Sequence, residues 1–188
     1  MAPPSDRPRL NAIDPAALAL ETAQRMRDHI TSQLFHVTAI GQNIQFDVTD
    51  DDLRQSEMYH AVRTLAGYAR GDHGLDAPVQ EYLISLIPLW MAPIGQSDAD
   101  GIAKDADPDT ELGIVICAGV ARELIEQGRA VSSAQLAALA SLSQRAVQQL
   151  VKAEEIPSDK DGVSAKDARR WLAARGVPGF ARAKKARA

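Results

Sequence analysis

The chain has 188 residues and a mass of 20.2 kDa, room for one domain or two small ones. Apolar residues at 45% and charged residues at 24% exclude a wholly disordered chain, and aromatics at 4% require an aliphatic core. The net charge of −4 conceals a split: Val131 onward holds 11 basic and 5 acidic residues (+6), and residues 1–130 hold 10 basic and 20 acidic (−10), so the last third suits a polyanion and the first part does not.

Residues 1–12 are rich in Pro and polar groups and lack an apolar run. They predict a disordered arm and no secretory signal. Asp14 and Pro15 open a helix, Asp as N-cap and Pro at the first helical position, where its missing amide costs nothing. Met26, Ile30, Leu34, Val37 and Ile44 recur near 3.6 residues, so this helix is long and amphipathic unless Gly41 ends it early. A second helix starts near Thr49, with Asp50, Asp51 and Asp52 at the positive end of its dipole. Its buried stripe is Met58, Val62, Leu65 and Ala69, and Gly71 closes it.

Pro78 opens a third helix with Val79, Tyr82, Leu83, Leu86 and Ile87 on one face, and Pro88 ends or kinks it. The apolar stretch Val79–Ile94 is interrupted by Gln80, Glu81 and Pro88, too broken to span a bilayer. Gly95–Pro108 reads as an acidic loop. Asp109 is the expected cap of a fourth helix running to about Gln127, with Gly128 after it. From Leu112 to Ala121 that helix has no polar face, so it is buried on all sides, at the centre of a domain or in a subunit interface.

The last third carries the clearest local signals. Ser132 and Gln135 form a capping-box pattern, with Val131 and Leu136 placed as a hydrophobic staple, for a helix to Ala140. Ser143 caps a second helix to about Ala153. Ile156–Val163 contains Pro157 and Gly162 and predicts a short hairpin or wing. Ser164 and Asp167 give another capping box, for a helix to Arg175 that Gly176 and Pro178 stop. Residues 181–188 are a Lys/Arg/Ala tail.

The two helices that meet at Ser141-Leu142-Ser143 satisfy a spacing requirement. A steep crossing needs a small residue in the first helix, and Ala137 supplies it. Counted from Ser133 as the first of twenty, Leu136, Ala140, Leu142, Val147 and Leu150 hold apolar positions 4, 8, 10, 15 and 18. The second helix then leaves Gln144, Arg145, Gln148, Gln149 and Lys152 on a polar face without an acid. Gln suits adenine, Arg guanine, and Lys phosphate or guanine.

Residues 132–152 resemble bacterial helix-turn-helix DNA-binding regulators. Residues 154–176 are similar to the wing and following helix of excisionase and MerR-like winged domains. The resemblance covers about a quarter of the chain and does not reach residues 1–128. It departs from the family at the turn, where Ser141 stands in place of the usual Gly. What it implies is sequence-specific binding of double-stranded DNA, usually as a dimer, with Ser143 to Lys152 in the major groove. Lys160 on the wing, and Arg182, Lys184 and Lys185 in the tail, would then add backbone contacts.

The expected fold is therefore all-α, an N-terminal helical bundle followed by a C-terminal winged helix-turn-helix. The expected layout is a disordered arm (1–12), an acidic helical dimerisation or effector domain (13–128), the DNA-binding module (129–178) and a basic tail (179–188). The function expected is transcriptional regulation as a cytoplasmic homodimer joined through residues before Gly128. The alternatives are an accessory role in plasmid partition or recombination, and a helical protein–protein adaptor.

Other residues have blander readings. His29 and His36 lie seven apart, where a helical metal pair prefers three or four. His73 has no nucleophile near it in sequence. Asp105, Asp107 and Asp109 imitate a calcium loop, but Thr110 and Ile116 stand where Gly and Glu are needed. Cys117, the single cysteine, excludes an intramolecular disulfide and reads as a buried inert thiol. Trp171 reads as a core anchor. No catalytic constellation, cofactor motif or metal site is expected.

Overall fold

The structure, a computed structural model, describes residues 9–37, 47–86 and 110–180. These residues are helical, and β-pairing among them is limited to isolated bridges. Among the described residues the α-helices number eight: α1 (Pro15–Val37), α2 (Asp50–Arg54), α3 (Glu57–Arg70), α4 (Val79–Ile84), α5 (Glu111–Glu126), α6 (Ser133–Leu139), α7 (Gln144–Lys152) and α8 (Ala165–Ala174). The chain divides into two compact units, residues 14–65 with 77–105, and residues 1–13 with 66–76 and 106–188. The boundary expected at Gly128 lies inside the second of these.

In the unit of 14–65 and 77–105, the Asp14 carboxylate caps α1 by accepting from the amides of Ala16 at 2.9 Å and Ala17 at 3.3 Å. Thr49 caps α2 in a capping box: its hydroxyl accepts from the Asp52 amide at 3.2 Å, and the Asp52 carboxylate accepts from the Thr49 amide at 2.9 Å. Those bonds from Thr49, side chain first and backbone second, hold the Asp52 carboxyl below the usual Asp range. The single helix expected from Thr49 is two. Ser56 breaks it, because its hydroxyl donates to the Leu53 carbonyl at 2.6 Å and accepts from the Tyr59 amide at 3.2 Å. A serine that offers the backbone both partners competes with the helical ladder and restarts it as α3. Val62, Leu65, Leu83 and Leu86 are buried here. A cavity of about 280 Å³ is lined by Met26, Ile30, Val48, Leu53 and Met58 among others.

In the other unit, α5 is the central element. Thr110, one residue after the expected Asp109, caps it by accepting from the Gly113 amide at 3.1 Å. Asp109 and residues 38–46 and 87–108, which hold several of the expected features, lie outside the described residues. Ile114, Val115, Ile116, Cys117 and Ala118 are all buried, because α6, α8 and a 3-10 turn at Leu10–Ala12 pack on α5. The helix without a polar face is thus covered by its own chain. The 3-10 turn corrects the expected arm: Leu10 is 2% exposed, and an apolar anchor of that kind orders the backbone around it. Residues 1–8 lie outside the described residues.

Trp171 is another correction. It is half-buried with the Arg175 guanidinium 4.8 Å from its ring centroid, and Leu172 is the buried anchor of α8. At the C-terminal end of α5, Gly128 adopts φ 77°. The amides of Gly128 and Arg129 return to the carbonyls of Ile125 at 3.1 Å and Leu124 at 2.8 Å, a Schellman closure of the helix. Among the described residues, no helix is long and apolar enough to cross a membrane.

Candidate nucleic-acid interface

The segment Val131–Val163 builds this surface from local rules. Ser132 and Gln135 form the expected capping box, amide to Gln135 carboxamide at 2.9 Å and Gln135 amide to Ser132 hydroxyl at 3.3 Å. Helix α6 ends in a Schellman closure, with the Ser141 amide on the Ala138 carbonyl at 3.2 Å and the Leu142 amide on Ala137 at 2.9 Å. That closure demands a left-handed residue, and Ser141 takes it at φ 52°. For a non-glycine residue this costs roughly 1–2 kcal/mol.

Ser143 then caps α7, its hydroxyl accepting from the Ala146 amide at 3.2 Å. Ser143 is therefore occupied by the helix end. Helix α7 packs on α6. Leu136, Ala137 and Val147 are buried, while Ala140, Leu142 and Leu150 are half-buried. The small Ala137, the residue expected at the crossing, is buried.

Gln144, Arg145, Gln148, Gln149 and Lys152 are all exposed. Among the described residues, none of the five side chains takes a hydrogen bond or ion pair within the chain. Their donors and acceptors are free to meet another molecule. The helix ends at about Ala153, as expected, but the way it closes was not read from the sequence. Glu154 stands at φ 58°, with its amide on Val151 at 3.0 Å and the Glu155 amide on Leu150 at 3.0 Å. This is a second Schellman closure without glycine, and no glycine in the sequence announced it.

The expected wing is reduced to two antiparallel bridges, Val131 with Val163 and Asp159 with Gly162. Val131 and Val163 exchange both backbone bonds at 2.9 Å. Gly162 makes this pairing possible: at φ 113° a Cβ there would lie 2.5 Å from the Val131 carbonyl oxygen. Lys160 is exposed at the tip, between Asp159, whose carboxylate accepts from the Asp161 amide at 2.8 Å, and Asp161. With Glu154 and Glu155 nearby in sequence, the tip is locally acidic, and Lys160 is the one cation from 154 to 161. Ser164 caps α8 through the Asp167 amide at 3.2 Å. The return bond differs from a capping box, because the Ser164 hydroxyl itself donates to Asp167 at 2.8 Å. Arg182, Lys184 and Lys185 lie outside the described residues.

One internal cation was not foreseen. Arg122 on α5 is 3% exposed. It donates to the carbonyls of Pro178 at 2.9 Å and Ala69 at 3.2 Å. Its burial lowers its pKa from the ordinary Arg value. Nothing in the local sequence marks it, since its partners stand more than fifty residues away.

No protein-family model, curated protein or solved structure matches the chain.

Proposed function

We propose that the chain is a sequence-specific double-stranded DNA-binding protein that acts in transcriptional regulation. The observation that carries this reading is the exposed face of α7. Five side chains with amide, guanidinium or ammonium donors share it, without an acid and without a partner among the described residues. Such a face complements the acceptor-rich major groove, and a short helix held by a second, crossing helix is the element that enters that groove. Ser143 orients the helix through its cap. Lys160 and the basic residues of the tail supply backbone contacts that position the module without reading sequence. Lys160 works against the acids around it, so its share is the smaller.

The homodimer belongs to the same proposal, since a single module contacts few base pairs and two copies read paired half-sites. Helix α5 is covered by its own chain and is not the interface offered. The unit of 14–65 and 77–105 is, because Ile30 and Ile84 are 42% and 52% exposed there. Sedimentation equilibrium of the full chain at tens of micromolar tests this arm. A dimer is expected, and a monomer removes it.

The DNA reading is tested by retention of a random-sequence duplex pool on the full-length protein at moderate salt. Retention of a reproducible subset is expected. A protein that retains no duplex is not a DNA-binding protein.

A further inference from the structure

Resting on the DNA reading, the geometry of α7 points to a particular class of half-site. An α-helix turns about 100° per residue and rises about 1.5 Å. Arg145 and Lys152 then fall within about 20° of one another at the midline of the exposed face. Gln148 and Gln149 lie about 50° to either side of that midline. The opposite side holds the buried Val147.

A helix lying along a groove turns one flank to each strand. We infer that Gln148 and Gln149 each read an adenine, on opposite strands, and that Arg145 reads a guanine. The pairings follow from donor and acceptor patterns. The Gln carboxamide matches adenine N6 and N7, and the Arg fork matches guanine O6 and N7. Arg145 precedes Gln148 by about 4.5 Å along the axis, between one and two base-pair steps of about 3.4 Å. The half-site therefore places a guanine beside A·T pairs whose adenines alternate between strands. No carboxylate on the face is available to accept from cytosine N4, so the guanine is read from its own edge. Lys152, about 10 Å beyond Arg145, reaches the far end of the same site.

The test is sequencing of the duplex pool retained by the full chain, repeated with Arg145→Ala, Gln148→Ala and Gln149→Ala. Helical circular dichroism serves to check that each variant is folded. The wild type should enrich one guanine flanked by A·T pairs. Arg145→Ala should relax the guanine alone, by roughly 5- to 150-fold in preference. Each Gln variant should relax an A·T pair on one strand and leave the other. An enriched motif that is wholly G·C, or one that the three variants leave unchanged, overturns this inference while the DNA reading stands. A pool without enrichment overturns both.

Discussion

The Arg122 guanidinium stands 4.5 Å from the centroid of the Phe180 ring, and its Nη2 donates to the Pro178 carbonyl at 2.9 Å. The Tyr68 ring lies on the same cation, at 5.9 Å. The last described turn of the chain is thus fastened to α5 by one buried side chain. Gly179, at φ 80°, leaves room for it, because a Cβ there would collide with Nη1. Nε has no hydrogen-bond partner among the described residues, so the fastening rests on two carbonyls and two rings. Arg122→Ala should lower unfolding free energy by roughly 2–4 kcal/mol, through loss of charged hydrogen bonds and desolvated cation–π interactions. Urea titration measures it, and a drop under about 0.5 kcal/mol, within the range of ordinary surface substitutions, would remove the clamp from the account.

Beside that cation, the Tyr68 hydroxyl donates to the Glu126 carboxylate at 2.7 Å. Burial first, then the bond to Glu126, raises the Tyr68 pKa well above its ordinary value. A raised folded pKa favours the proton-bound form in the folded state. Its stabilisation is complete below the unfolded pKa of about 10 and is lost as pH rises above it. Wild-type stability should therefore fall between about pH 9 and pH 11 more steeply than that of Tyr68→Phe. Parallel profiles in chemical denaturation would show that the phenol keeps an ordinary pKa.

Two positions of positive φ, Ser141 before α7 and Gly162 in the bridged hairpin, invite opposite substitutions. Ser141→Gly relieves the backbone strain of a φ of 52° and should raise stability by about 1 kcal/mol. Gly162→Ala places a methyl against the Val131 carbonyl and should cost about 2–3 kcal/mol. Thermal unfolding of both variants reads the pair. A destabilised Ser141→Gly would mean that the serine hydroxyl matters more than the backbone angle.

What was legible was local. Asp14, Ser132, Ser143 and Ser164 cap helices as expected, and a helix starts near Thr49 as expected, because a cap bonds amides two or three residues away. Gly128 and Gly176 follow α5 and α8 for the same reason. The split at Ser56 is also local, but serine fits a helix and a cap about equally, and only the chain's path decides. The cover of α5 was not legible. Leu10, α6 and α8 come to it from distant parts of the sequence, and an apolar helix looks the same in a core and in an interface. Arg122 is the extreme case, with hydrogen bonds reaching 53 and 56 residues away. For the site, the polar face of α7 was read from helical periodicity. The hairpin carrying Lys160 was read from Pro157 and Gly162, and its reduction to two bridges was not.

The tail offers a test in solution. Removing residues 181–188 deletes Arg182, Lys184, Lys185 and Arg187. For every one of these cations that neutralises a phosphate, the slope of log K against log salt should shrink by about 0.9. An unchanged slope would assign the tail to solubility.

The most direct measurement is the affinity of the full chain for an enriched duplex and for a scrambled duplex of the same composition, with Arg145→Ala/Gln148→Ala alongside. The wild type should prefer the enriched duplex, and the double variant should lose most of that preference, keeping only what Gln149 reads, while still binding both duplexes weakly. A double variant that discriminates as well as the wild type would contradict the assignment of sequence reading to α7.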